Sequence, residues 1–196
     1  NMPSASNGEF KILKKKYAKG VELRGKTIGI IGFGRIGQFT AKYALGNGMN
    51  VVAFDPFIKE ISISLEIANQ NLDVPIAMCS MDDLLSKADY ISLHVPMPKD
   101  GNALLGTNEF AKMKDGVRIV NAARGGVIDE VALVNALDRG QLSFAGLDTF
   151  ENEPKPEIKL LMHDKISLTP HIGAATLEAQ DRIGEELALQ ISKLLK

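Results

Sequence analysis

The sequence predicts an α/β fold, a doubly wound parallel sheet with helices on both faces. Three observations carry that expectation. From residue 26 onward, short β-rich runs alternate with helical patterns, the signature of strand–helix–strand units and a parallel sheet. The run Gly32-Phe33-Gly34-Arg35-Ile36-Gly37 joins a strand to a helix through glycines spaced G-x-G-x-x-G. An acid, Asp55, closes the next β-rich run, eighteen residues beyond Gly37.

The elements follow in order. The first 20 residues show neither period clearly and read as an extended linker. Residues 27–31 form a buried strand, and Gln38, Phe39, Ala41, Lys42 and Ala44 suit the helix behind the glycine turn. Residues 50–54 make the second strand. The stretch 58–71 is ambiguous, partly helical but weakened by β-branched residues. A third strand is expected at 75–79, after which Ser80 caps a short helix with Asp83 three residues on. Residues 89–94 give a fourth strand, 107–113 a brief helix, and 117–120 a fifth strand. Asp129 caps a helix over 130–139 that Gly140 ends. Two further strands lie at 144–147 and 166–168. The longest helix, 175–195, sets Ile183, Leu187, Ile191 and Leu194 along one face.

Bulk properties narrow the function classes. The 196 residues suffice for one sizeable domain. Lys and Arg total 23 against 24 Asp and Glu, so neither a nucleic-acid nor a membrane partner is implied. Lys11, Lys14, Lys15, Lys16 and Lys19 cluster near the N-terminus and read as a solvated connector. Cys79 is the only cysteine, which excludes an intrachain disulfide and a multi-cysteine metal site. It reads as an inert buried residue. The histidines lack metal-ligand spacing, so no metal is expected. With no spanning run and no apolar signal core, the default reading is cytoplasmic.

The chemistry concentrates at turns. Gly32 permits a tight turn, Gly34 lets backbone approach a pyrophosphate, and Gly37 lets the helix lie against the sheet. That helix's free amides would face the anion, and Asp55 stands where a ribose-binding acid is expected. In an open parallel sheet, ligands bind beyond the carboxyl ends of the strands. Three such ends carry Asn121-Ala122-Ala123-Arg124-Gly125-Gly126, then Asp148 with Glu151-Asn152-Glu153-Pro154, then Pro170-His171-Ile172-Gly173. An arginine, a carboxylate and an imidazole thus converge on the rim that carries the phosphate turn. Hydride transfer between nicotinamide and a hydroxy acid needs that set. A guanidinium holds the substrate carboxylate bidentately, an imidazole takes the hydroxyl proton, and a carboxylate fixes the imidazole's tautomer. His94 is expected to pack or bond to backbone near the cofactor, and His163 to be exposed.

Taken in order, these motifs resemble the signatures of the D-isomer-specific 2-hydroxyacid dehydrogenases over residues 20–195. The resemblance implies a Rossmann-type NAD-binding domain, with residues 1–25 as an interdomain linker and residues 26–196 as the domain itself. It implies that Arg124 binds the substrate carboxylate, His171 is the acid/base and Glu153 orients it. The amides of Arg35 and Ile36 would hold pyrophosphate, and Asp55 would bind the adenosine ribose. Val95, Pro96, Ala122 and Ala123 would line the cofactor cleft, Asp148 would meet the nicotinamide amide, and Gly173 and Ala174 would complete the cofactor site. Asp55 followed by Pro56 and Phe57, with no arginine, favours NAD over NADP. The region after Pro170 looks most like the branch acting on D-3-phosphoglycerate, while lactate, hydroxypyruvate and glyoxylate reductases and a dinucleotide-sensing corepressor branch stay open. The expected small-molecule partner is a 2-hydroxy acid, and the family commonly dimerises through this domain. Thr149 departs from the apolar residue usual after Asp148. Family members also carry a substrate domain before the phosphate turn that is missing here, so the chain is expected to be the cofactor domain of a longer enzyme.

Overall fold

The computed structural model describes residues 8–18 and 20–195. Residues 1–7, Lys19 and Lys196 lie outside the described residues, and with them parts of the linker, lysine-cluster and domain expectations. Within the lead-in, Phe10–Tyr17 is a helix, α1, rather than extended chain. Its residues are all at least partly exposed.

The sheet has six strands, β1 (Thr27–Ile31), β2 (Asn50–Phe54), β5 (Tyr90–Leu93), β6 (Val117–Asn121), β7 (Leu142–Leu147) and β8 (Ile166–Leu168), ordered β2-β1-β5-β6-β7-β8. Every pairing is parallel, so all six carboxyl ends share one rim. The chain crosses from β2 back past β1 to β5, which places a reversal of strand order beside β1. Ligands bind at such a reversal.

Two elements between β2 and β5 correct the sequence reading. Residues 58–71 contain no helix, and the strand expected at 75–79 does not extend the sheet. Instead β3 (Glu60–Ile67) and β4 (Gln70–Ala77) form an antiparallel ribbon. Only Met78 touches the sheet as a strand would, through one parallel bridge to Ala53. The overlooked signal is the alternation Ile61, Ile63, Leu65, Ile67, a period of two. Ile63, Leu65 and Ile76 bury against Ile30, Phe33, Ala41 and Ala53, a patch on α2 (Arg35–Gly46) and the strands beneath it. Tertiary burial outweighs local preference here.

The other face is covered by α3 (Met81–Lys87), α4 (Thr107–Phe110) and α5 (Glu130–Asp138), whose Leu84, Leu85, Phe110, Leu133 and Leu137 pack with Ile91, Ile119 and Leu147 from the sheet. Caps set the ends of two of these helices. Ser80 Oγ accepts from the Asp83 amide at 3.1 Å, and Asp129 Oδ1 accepts from the Ala132 amide at 2.8 Å, each worth about 1 kcal/mol. Beyond the short helix α6 (Ile158–Leu161) and β8, the last helix, α7 (Leu177–Leu194), begins at a Thr176 cap. Its stripe Ile183, Leu187, Ile191 and Leu194 is exposed rather than packed.

Candidate active site

The phosphate turn is built by steric need. Gly32 sits at φ +89°, and a Cβ there would lie 2.5 Å from the His94 carbonyl oxygen and 2.7 Å from Val95. A Cβ on Gly37 would run into the Gly32 carbonyl oxygen, whereas one on Gly34 would meet nothing within 4 Å. Two glycines are therefore demanded by packing, and the third faces open space where a ligand can approach. Gly34 is also the N-cap of α2, and among the described residues no side chain caps the helix's first amides, so those donors, Arg35 and Ile36 among them, stay available to an anion. Between Gly32 and Gly34, Phe33 is fully buried, which anchors the turn by about 1.5–3 kcal/mol. Its amide donates to Asp55 Oδ2 at 2.8 Å, and the Phe57 amide donates to Asp55 Oδ1 at 2.9 Å. Asp55 is thus fixed beside the turn, with acceptor capacity left on both oxygens. Turn, open helix end and acid together fit a dinucleotide.

From the turn a cleft of about 230 Å³ runs between Ile36, His94, Val95, Pro96, Ala122, Ala123 and Arg124. His94 packs half-buried beside this cleft, the first of its two expected alternatives, with its ring 2.9 Å from the Ser92 hydroxyl, and burial pushes its imidazole below the ordinary value. Buried Asn121 shapes the next loop. Its Nδ2 donates to the Arg124 carbonyl at 2.9 Å, and its Oδ1 accepts from the Ala123 amide at 3.0 Å. An asparagine ending a strand before a tight loop is a legible turn signal. The exposed Arg124 guanidinium donates to the Ala123 carbonyl at 2.6 Å.

Asp148 organises the adjoining loop and is 6% exposed. Its Oδ1 accepts from the Thr169 hydroxyl at 2.5 Å and the Ile172 amide at 2.9 Å, and its Oδ2 from the Gly173 amide at 2.8 Å. Burial opposes its charge, but these three donors hold its carboxyl below the usual range. Gly173 lies so close that a Cβ would stand 2.9 Å from Asp148 Oδ2 and 3.7 Å from Ala122. Ala174, next in the loop, is exposed. This bracket holds His171 at φ +55°, a left-handed conformation costly for a residue with a Cβ.

His171 Nδ1 lies 2.9 Å from Glu153 Oε2, while Glu153 Oε1 accepts from the Phe150 amide at 3.0 Å. The bond to His171, then the Phe150 amide, holds Glu153 below the ordinary carboxylate value. An ionised carboxylate only accepts, so Nδ1 carries the proton and a neutral ring leaves Nε2 free as a base. The pair borders an apolar cavity of about 390 Å³ with Pro154, Pro156, Leu161 and Leu168. Arg124 thus shares the rim with His171 and Glu153 but lines a different hollow.

The remaining special residues fall elsewhere. His163, expected exposed, is only 12% exposed at its side chain, with Nε2 3.2 Å from Asp138 and Nδ1 accepting from the Lys165 amide. The Cys79 thiol is half-buried, donates to the Ala53 carbonyl and is pushed up in pKa by burial. Thr149 is 1% exposed, and its hydroxyl is a buried polar group without a partner among the described residues. Among the described residues no cluster of His, Cys, Asp or Glu could hold a metal, and no helix is long and apolar enough to cross a membrane.

Fold and rim together define a dinucleotide-binding domain with a hydrogen-bonded His171–Glu153 pair on the rim that carries the glycine turn. Comparison with known proteins makes the class specific. Residues 3–173 match the family described as D-isomer specific 2-hydroxyacid dehydrogenase, NAD binding domain, and the chain belongs to that family. Its cofactor is NAD. The chain is 47% identical over 185 residues to a hydroxypyruvate reductase of Thermotoga maritima, covering 93% of this chain and 57% of that protein. It is 44% identical over 189 residues to a D-3-phosphoglycerate dehydrogenase of Archaeoglobus fulgidus, covering 96% of this chain and 34% of that protein. Among solved structures it resembles D-lactate dehydrogenase from Aquifex aeolicus complexed with NAD and lactic acid. That match has TM-score 0.72 and 31% identity, over 96% of this chain and 60% of that one. The chain therefore spans between about a third and three fifths of the length of these relatives.

Proposed function

We propose that the intact protein is an NAD-dependent oxidoreductase that oxidises D-3-phosphoglycerate to 3-phosphohydroxypyruvate in serine biosynthesis, and that residues 1–25 link this domain to a substrate domain. The observation that carries the acid/base role is the 2.9 Å contact of His171 Nδ1 with Glu153, which leaves Nε2 as proton acceptor. Bound NAD supplies the hydride acceptor. Arg124 holds the substrate carboxylate, and Nε2 of His171 takes the hydroxyl proton as the C–H bond breaks. Glu153 stabilises the imidazolium so formed. Asp148 keeps one acceptor position on Oδ2 for the nicotinamide amide, because a carboxylate offers about four and three are filled. The D-3-phosphoglycerate dehydrogenase relative and the resemblance after Pro170 support this substrate. The hydroxypyruvate reductase relative supports a second reading, reduction of hydroxypyruvate. The protein is further read as a cytoplasmic homodimer joined through this domain.

Steady-state kinetics on the intact protein test both readings. NAD reduction with D-3-phosphoglycerate is expected to give the higher kcat/KM, against NADH oxidation by hydroxypyruvate. His171→Ala is expected to lower kcat on the order of 10²- to 10⁴-fold while NADH affinity stays within about twofold. Preference for hydroxypyruvate would select the second reading, and wild-type turnover in His171→Ala would overturn both.

A further inference from the structure

We propose that Glu130 is a positioning residue for the acid/base pair, acting through the backbone of Glu151. The inference rests on the assignment of His171 and Glu153 as that pair. Glu130 opens α5 and is 7% exposed, an uncommon place for a carboxylate. Its Oε1 accepts from the Glu151 amide at 2.8 Å, and the Glu151 carboxylate returns the bond, Oε1 accepting from the Glu130 amide at 3.1 Å. Two residues 21 positions apart are thus clasped by reciprocal backbone–side-chain bonds. One bond satisfies a free amide at the N-terminus of α5, where negative charge is favoured. The other pins the first residue after Phe150.

Phe150 and Glu151 are where the site's loops meet. The Phe150 amide donates to Glu153 Oε1, so the turn that the clasp pins also holds the carboxylate facing His171. On its other side, a Cβ on Gly125 would collide with the Phe150 carbonyl oxygen and stand 2.9 Å from the Glu151 nitrogen. The Arg124 loop therefore rests directly on the clasped backbone. Glu130 touches no reacting atom, yet it anchors the point from which Glu153 is aimed and against which Arg124's loop is packed. A hydrogen-bond acceptor at that position does this work. Shortening the side chain by one methylene leaves the Glu151 amide without a partner, and the turn is free to move. Burial holds the Glu130 carboxyl above its ordinary range, with the charges of Glu151 and Glu157 adding to the effect. Glu153 and Asp148 are the charged groups that face His171 itself.

The intact protein is assayed for NAD-linked oxidation of D-3-phosphoglycerate and reduction of hydroxypyruvate across pH, with NADH affinity measured by fluorescence. Glu130→Asp keeps the charge but loses reach. It is expected to lower kcat on the order of ten- to a hundredfold and to move the acid limb of the pH–rate profile to lower pH, as an imidazole with a loosened carboxylate partner would. NADH affinity stays within about twofold, because Asp55 and the glycine turn are untouched. Glu130→Gln keeps an acceptor at full reach and is expected to restore both kcat and the profile. An unaltered rate and profile in Glu130→Asp, or equal impairment in both variants, overturns the clasp. His171→Ala in the same assay separates the two claims. Wild-type turnover there overturns the acid/base assignment, whereas its loss beside an unaltered Glu130→Asp overturns the clasp alone.

Discussion

At the scale of single residues, the site depends on acceptors placed where amides need them. Asn121, Asp148, Glu130 and Glu153 each bond the backbone of a loop end, so the loops are held by side chains rather than by sheet pairing. Asp148 is the strictest case, since an amide in its place would turn one donor toward the Ile172 or Gly173 amide. Asp148→Asn is expected to destabilise the domain by about 1–3 kcal/mol, read by urea denaturation near neutral pH. The sign of the pH effect follows from its lowered carboxyl. The folded value lies below the unfolded one, so the contribution is present above about pH 4. It is lost as pH falls through the folded value. The gap between wild type and Asp148→Asn should therefore close on acidification, and a gap that persists at low pH would refute the account.

At the scale of elements, most of the fold is legible because one physical signal dominates each piece. Buried parallel strands read as apolar runs, and Ser80 and Asp129 announce helix starts through their capping oxygens. The candidate site residues could be picked out for the same reason, since glycines, Asp55, Arg124 and His171 sit at strand ends where chain geometry restricts the choice. What escaped was decided by distant partners. Glu130 looks like any acid in a first helical turn, and its role exists only because Glu151 folds beside it. The β3–β4 ribbon escaped because its turn, Ala68-Asn69, lacks the glycine that marks a tight hairpin. Both residues nonetheless adopt positive φ, 49° and 64°, the pattern of the mirror-image turn that suits strand twist. For alanine this conformation costs roughly 1 kcal/mol, which glycine avoids. Ala68→Gly is accordingly expected to raise ribbon stability by up to about 1 kcal/mol, seen as stronger amide protection along β3 and β4. Weaker protection in the variant would show that the turn is not left-handed.

At the scale of the whole molecule, parallel pairing gathers the loops after β1, β2, β5, β6, β7 and β8 onto one rim, and close contacts tie several of these loops together. Asp55 bonds Phe33, Gly32 abuts His94, Ala122 lies by Gly173, and Gly125 rests on Phe150. The residues proposed to hold the cofactor thus lie together on this rim. The groups proposed to meet the substrate face solvent. Arg124 is exposed, the His171 side chain is 49% exposed, and the Leu187 and Ile191 stripe of α7 is uncovered. A guanidinium and an imidazole in bulk water lose the water exclusion that strengthens their charges and the positioning that makes attack effectively unimolecular. The 196-residue chain by itself is therefore expected to bind NADH within about threefold of the intact protein's affinity, corresponding to less than about 1 kcal/mol. Its turnover of D-3-phosphoglycerate should fall below roughly one hundredth of the intact rate. Fluorescence titration and NAD reduction on matched samples measure the two quantities. A chain that turns over at the intact rate would mean that the exposed rim is already a finished active site, and one that fails to bind NADH would mean that the glycine turn needs support from beyond this domain.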